Sequence, residues 1–407
     1  MRMSPLDSDV PDAIDLDEPA RYAGVGQHAA WRWLRDHAPL WLQSTRSGHE
    51  FWSVTRYDDV VRVLKEIDVF SSEWGTILAV AGGDLGGGTA INMVDPPLHA
   101  DLRGPTARVM SMSVMRARAA RIRDDVRSML EPVPDGEPVD LADVLLELPM
   151  VALGGILGVP RSRWRDVGLA AMRGVAPDDP AYTLGDARRT LTDAHSEIFD
   201  LFGELVARRR AEPTGDLVSA LCGLTFDGRP LDDQEVVLNC YSFLMGAATT
   251  TPHVAAHFIA VMAEEPALWH TLRARPDLRA AAVEEAARWT SPTNHLLRRV
   301  TRPVELRGRV FEPGELVCAW VASANRDERV FTDPYRFRLD RAPNPHIAFS
   351  VGPHYCIGAP AARAALGALV NELAERVVSF EPVGDAVHVR SNFINGVSRL
   401  PMRLVTR

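Results

Sequence analysis

The sequence is short of lysine and of cysteine, and each scarcity argues against something. Lys65 is the only lysine among 45 basic residues, an arginine bias that points to a GC-rich bacterial genome. The four cysteines, Cys222, Cys240, Cys318 and Cys356, lie far apart with no CxxC pair, which argues against a zinc ribbon or a small disulfide framework. A reducing compartment is the default that follows. Also missing is any run of ~18 uninterrupted apolar residues, and the acidic N-terminus, residues 1–22, holds no apolar h-region. The protein is therefore expected in the cytoplasm, with no membrane anchor. Basic charge is not in excess either: a net charge of −9 disfavours attraction to nucleic acid, while leaving room for a local basic patch that receives an acidic protein partner. No repeat or low-complexity tract occurs.

What is present suits a globular enzyme with a substantial core, since 46% of the 407 residues are apolar and 24% charged. One large domain and two smaller ones are both open on length alone. Residues 51–56, FWSVTR, alternate like a half-buried strand, and YDDVVRVLKEI after them has apolar residues at helical spacing. The stretch 79–90, AVAGGDLGGGTA, has five glycines in twelve residues and is expected to be a mobile loop, a lid. From about residue 98 to 290 the recurrence is mostly helical. Strand-like pieces return at 303–321, where EPG suggests a hairpin turn, and near the C-terminus at AVHVRS and SRLPMRLV. The expected fold class is mainly α with minor antiparallel β.

One stretch carries chemistry. Residues 344–366, NPHIAFSVGPHYCIGAPAARAAL, place Cys356 in a glycine-bracketed turn ahead of an alanine-rich helix. A buried spacer thiol, a zinc ligand, a catalytic nucleophile and an axial ligand to iron are the alternatives. Phe349, Gly352, His354, Cys356 and Gly358 form the pattern F-x-x-G-x-H-x-C-x-G. Each has a use if Cys356 is an iron-bound thiolate. Gly352 permits a tight turn at positive φ, and Gly358 lets the next helix approach a flat ligand. A helix opening just after Cys356 would favour thiolate over thiol through its free N–H groups, and Pro360 fits its first turn. Phe349 is placed to shield the sulfur and His354 to bond an anionic edge of the ligand.

This segment resembles the haem-ligand loop of the cytochrome P-450 family, in which a cysteine thiolate is the proximal iron ligand. Three other stretches resemble the same family. Glu285 and Arg288, at i and i+3 in EEAARW, match its E-x-x-R pair, a structural lock beneath the haem. His99 and Arg103, one turn apart in DPPLHADLR, match the pair that holds a haem propionate. Arg298 in HLLRRVTRPVEL matches the propionate-binding arginine, with Arg299 the rival.

The resemblance runs from about residue 50 to the C-terminus and implies the triangular, helix-rich prism of that family in a single domain, 1–407. A small β-containing lobe would span about 40–75 and 300–325, and a helical haem-binding lobe about 95–300 and 340–380. Haem b (iron protoporphyrin IX) would lie between a long helix around 235–264 and the helix after Cys356. The resemblance further implies a monooxygenase, expected to be monomeric, that takes dioxygen and a small-molecule substrate. Its electrons would come from NAD(P)H through a ferredoxin reductase and a ferredoxin. Tailoring of a bacterial secondary metabolite by hydroxylation or epoxidation is the expected role. Oxidative coupling, peroxide-driven oxidation and an inactive recruitment module are the alternatives.

The long helix departs from the family pattern A/G-G-x-D/E-T-T, reading MGAATTT from Met245 to Thr251. Ala248 replaces the acid that helps relay protons, and Pro252 would interrupt the helix interior. Thr249, and with less claim Thr250, are left as the catalytic candidates. The variable substrate-contact regions of the family correspond to 73–94, 165–190, 289–297 and the turn near SNFINGVS.

Overall fold

A computed structural model describes residues 14–24, 26–226 and 228–407. Most of the acidic N-terminal stretch, residues 1–13, lies outside the described residues.

Helices dominate, and the most apolar of them sits at the centre. In Leu148–Leu157 nine of ten residues are buried, as expected for a helix that is apolar all round. It packs with Asp233–Ala248, Thr251–Glu264, Arg279–Thr290 and Ala359–Arg376 around one core that includes Leu244, Phe258, Leu366 and Leu369. Asp233–Ala248 begins with a capping box: Asp232 accepts the Glu235 N–H at 2.9 Å while Glu235 accepts the Asp232 N–H at 2.8 Å.

The long helix expected over 235–264 is two helices. Thr249 and Thr250 fall between Asp233–Ala248 and Thr251–Glu264, and Thr250 takes φ −123°. The cause is Pro252, which occupies the first turn of the second helix, where its missing N–H costs nothing. It does not interrupt a helix interior.

A second, smaller core covers the five-stranded sheet, in the order Leu40–Ser44, Glu50–Val54, Leu316–Ala319, Leu296–Val300, Phe70–Ser71. Pairing is antiparallel except between Glu50–Val54 and Leu316–Ala319, which run parallel with Trp52 opposite Val317. The strand expected at 51–56 and the helix after it, Tyr57–Lys65, are both present. The hairpin expected at EPG forms earlier. Val304–Leu306 pairs with Arg309–Phe311 through Arg307 and Gly308, whose φ values of 53° and 77° suit a two-residue loop. EPG is a second turn, with Gly314 at φ 97°, that feeds the next strand.

The glycine-rich loop holds one short 3-10 turn, Leu78–Val80, and otherwise turns. Within it, a Cβ on Gly87 would stand 2.2 Å from the Glu73 carbonyl oxygen, so only glycine fits there. No helix among the described residues is long and apolar enough to cross a membrane.

The irregular stretch 325–345 is held by one buried carboxylate. Glu285 accepts from Arg288 at 2.7 and 2.8 Å, from Arg341 at 2.9 and 3.0 Å and from the Arg338 N–H at 3.0 Å. Arg288 also donates to the carbonyls of Asn325 and Pro334. Removing one partner of such a fully buried pair costs about 3–5 kcal/mol. Arg288→Ala and Glu285→Gln are each expected to lower the unfolding free energy by that much in urea titrations. A loss below about 1 kcal/mol would place them with exposed pairs instead.

Candidate active site

The cysteine loop is shaped before the helix begins. Gly352 takes φ 75°, and a Cβ there would meet the Lys65 Cα at 3.0 Å and the Leu64 carbonyl oxygen at 3.1 Å. Both the backbone conformation and the close approach require glycine. Gly352–His354 forms a 3-10 turn, after which the Cys356 N–H donates to the Phe349 carbonyl at 2.8 Å. The helix opens at Ala359, with Gly358 as its N-cap at φ −81°, so Gly358 is not there for left-handed backbone. A Cβ on it would lie 3.8 Å from the Cys356 sulfur.

Burial pushes the Cys356 thiol up from its usual value. The N–H groups of Gly358 and Ala359 and the charges of Arg103 and Arg363 pull the other way and do not win. The N–H groups at the helix start thus act in the direction expected from sequence, favouring the thiolate, against desolvation. The Arg363 guanidinium covers the Phe349 ring at 4.4 Å and donates to Glu284 at 2.7 and 2.8 Å.

The four predicted donors gather around this loop. His99 and Arg103 stand one turn apart on Leu98–Val109, and the His99 ring lies 4.2 Å from that of His354. Arg103 donates to the Tyr355 carbonyl. Arg298 is buried on Leu296–Val300 and spends NH1 on the Leu297 carbonyl at 2.8 Å, leaving its Nε without a partner. Burial lowers its pKa to about 10. The buried His99 Nε2 also lacks a partner. Burial, then the charges of Arg298, His99 and Arg103, bring His354 down to about 3, so it is neutral near neutral pH. Arg299 points the other way along the strand, over the Trp74 ring at 4.0 Å. The structure thus separates Arg298 from its rival.

Two buried cation-type nitrogens without acceptors fit an anionic group. The Asp95 charge acts on both Arg298 and His99, and its carboxylate accepts from the Ser72 N–H and hydroxyl at 3.3 and 3.2 Å. Ser72 in turn meets His354 Nε2 at 3.3 Å. Ser72, Arg341 and Arg363 were not singled out from sequence. Asp95 was quoted there only as part of the DPPLHADLR run.

Thr249 and Thr250 do not reach this cluster by any hydrogen bond among the described residues. The Thr249 hydroxyl donates to the Met245 carbonyl at 2.7 Å, and Thr250 donates to the Gly246 carbonyl at 2.7 Å.

The family model described as Cytochrome P450 matches residues 175–376. Among curated proteins, the chain is 30% identical to Linalool 8-monooxygenase of Pseudomonas putida over 97% of this chain and 99% of that one. It is 31% identical to Cytochrome P450 NovI of Streptomyces niveus, over 97% of each. Among solved structures, P450 OxyD, involved in the biosynthesis of vancomycin-type antibiotics, matches at a TM-score of 0.86 and 33% identity. That match covers 97% of this chain and 100% of OxyD. A Mycobacterium marinum cytochrome P450 in complex with pseudoionone matches at 0.89 and 28%, covering 99% and 100%.

The cysteine loop depends on Gly352 more than on any capping side chain. Gly352→Ala is expected to destabilise the protein by more than the ~1 kcal/mol of a left-handed alanine, because Lys65 and Leu64 must also shift. Thermal denaturation reads this directly, and an unchanged midpoint would refute it.

Proposed function

The chain belongs to the cytochrome P450 family of haem monooxygenases, and on that premise we propose that it inserts one atom of dioxygen into a small organic molecule, tailoring a bacterial secondary metabolite by hydroxylation or epoxidation. The observation that carries this reading is a half-buried thiol set beside clustered donors, two of whose buried nitrogens lack acceptors. The similarity to OxyD, which is involved in the biosynthesis of vancomycin-type antibiotics, supports the metabolite class.

In this reading Cys356 would ligate the iron of haem b, and His99, Arg103, Arg298 and His354 would hold its carboxylates. Haem supplies the activation of dioxygen when bound, with electrons from NAD(P)H through a ferredoxin reductase and a ferredoxin. The protein's own residues do the rest. Glu284, through Arg363, fixes the Phe349 ring over the loop. Arg298 and the neutral His354 present N–H donors from a dry site, where a charge-assisted bond gains strength. Thr249 gives its proton to the Met245 carbonyl, so its lone pairs are left to accept a proton-bearing partner. Ala248 has no proton to offer, and its carbonyl loses its usual helical donor because Pro252 has no N–H.

The missing acid at Ala248 favours a second reading, oxidative coupling, in which proton demand differs. Product mass separates the two: insertion adds one oxygen atom, and coupling removes two hydrogens.

The reduced, carbon monoxide-bound protein is expected to show the red-shifted Soret band of a thiolate haem, and Cys356→Ala to abolish it. A histidine-type spectrum in the unaltered protein would sink the assignment.

Thr249→Ala is expected to divert electrons to hydrogen peroxide, lowering product per NAD(P)H by roughly 10²-fold or more if the hydroxyl acts in proton transfer. Substrate-induced spectral shifts should persist. Unchanged coupling would make the hydroxyl structural.

A further inference from the structure

The carboxylate that precedes Glu285 on the same helix organises its own set of side chains. Glu284, on Arg279–Thr290, accepts from Arg363 Nε and NH2 at 2.7 and 2.8 Å and from His346 Nε2 at 3.1 Å. The His346 Nδ1 accepts the Ala348 N–H at 3.3 Å, which places the ring proton on Nε2 and makes the ring a neutral donor. Burial pushes the Glu284 carboxyl up, but the bonds from Arg363 and His346 outweigh it and hold the carboxyl at about 2. At neutral pH the three side chains therefore carry no net charge.

The same set encloses part of the cysteine loop. Arg363 lies on the second turn of Ala359–Arg376, and helical side chains lean toward the N-terminus. Its guanidinium is thereby brought back over the Phe349 ring, 4.4 Å from the centre, while NH1 donates to the Tyr355 hydroxyl at 3.0 Å. The Phe349 ring has that of His346 at 5.9 Å and that of Tyr355 at 6.4 Å. Phe349 and Tyr355 in turn bracket Cys356: the Phe349 carbonyl accepts its N–H at 2.8 Å, and Tyr355 precedes it in the chain. Burial raises the Cys356 pKa, and Arg363 is among the charges that oppose the rise. Among the described residues, Glu284 is the only acid paired with Arg363. Both side chains are 32% exposed, so water and salt screen the pair only in part.

We propose that Glu284 is a positioning residue that sets the reduction potential of the haem iron, by offsetting the charge that Arg363 holds against the cysteine loop. This rests on the reading of Cys356 as the iron ligand. Each ferric haem takes up one electron on reduction, so a nearby cation favours the reduced form and a nearby anion the oxidised form. Glu284→Gln leaves the guanidinium uncompensated and favours reduction. Arg363→Gln leaves the carboxylate uncompensated and opposes it. Loosening of the Phe349 ring is common to both variants and cannot push them in opposite directions.

The test is a spectroelectrochemical titration of the haem-loaded protein at neutral pH and low salt, with dithionite as the electron donor. Glu284→Gln is expected to move the equilibrium at least about three-fold toward the ferrous form, and Arg363→Gln at least about three-fold toward the ferric form, ~28 mV each for a one-electron couple. The double variant Glu284→Gln/Arg363→Gln is neutral again and stays within about three-fold of the parent, as does Arg363→Lys, which keeps the charge without the fork. Glu284→Ala and Arg363→Met repeat the two charge changes with other side chains, so the signs are read even where a glutamine variant does not fold. Shifts of the two charge-changing variants in one direction, a shift below about three-fold in either, or a larger one in the double variant or Arg363→Lys would each overturn the proposal. Absence of a thiolate spectrum from the carbon monoxide complex of the parent protein overturns the underlying reading instead, so the two failures are distinguishable.

Discussion

The Glu285 carboxylate is the constraint on which the rest of the site depends. Residues 325–345 form little regular structure, so their backbone carbonyls need donors from elsewhere. Arg288 and Arg341 supply them to Asn325, Pro334, Thr332, Asp333 and Arg336, and Glu285 neutralises both guanidiniums in a place water does not reach. Asn325 passes the constraint on, donating to the Ser291 hydroxyl at 2.8 Å and accepting the Ile347 N–H at 2.7 Å. Two residues after Ile347 comes Phe349, whose carbonyl holds the Cys356 N–H. A continuous line of hydrogen bonds and chain thus runs from a helical carboxylate to the thiol. The neighbouring Glu284 faces the other way and fixes the same loop from outside, through Arg363 and His346.

The interior this creates is electrostatically one-sided. A half-buried thiol, a buried arginine and two histidines of lowered pKa adjoin, and their shifted protonation equilibria all express the cost of holding charge away from water. The Arg298 guanidinium keeps its charge with a single carbonyl bond. An anionic ligand relieves that cost, so its binding free energy adds to folding stability in the way any ligand of the native state does. The same asymmetry acts on the thiol: desolvation raises its pKa, while the N–H groups at the helix start and two arginines oppose that rise.

How much of this was legible in the sequence depends on the range of the interaction. The glycine-bracketed cysteine turn, the i, i+3 pair Glu285–Arg288 and the one-turn pair His99–Arg103 are local patterns, and each took the geometry that its spacing implied. The partners that complete them were not legible. Arg341 reaches Glu285 across 56 residues and Arg363 reaches Glu284 across 79, separations that no periodicity encodes. The hairpin turn was misplaced because EPG is a strong turn signal, whereas Arg307 at positive φ is not a residue that sequence reasoning favours there. Arg298 and Arg299 were equivalent as letters. Only strand alternation, with one inside and the other on Trp74, tells them apart.

Proline 252 was legible as a disturbance but not as a boundary, and the difference bears on proton supply. A kinked continuous helix would have kept both threonines in its interior, whereas the observed break places them between two helices and turns both hydroxyls back on the preceding turn. A hydroxyl that donates to a carbonyl can still accept, and the Ala248 carbonyl can only accept. The break therefore offers acceptors and no acid. A water held between such acceptors has two protons to give, so solvent can stand in for the side chain that Ala248 lacks.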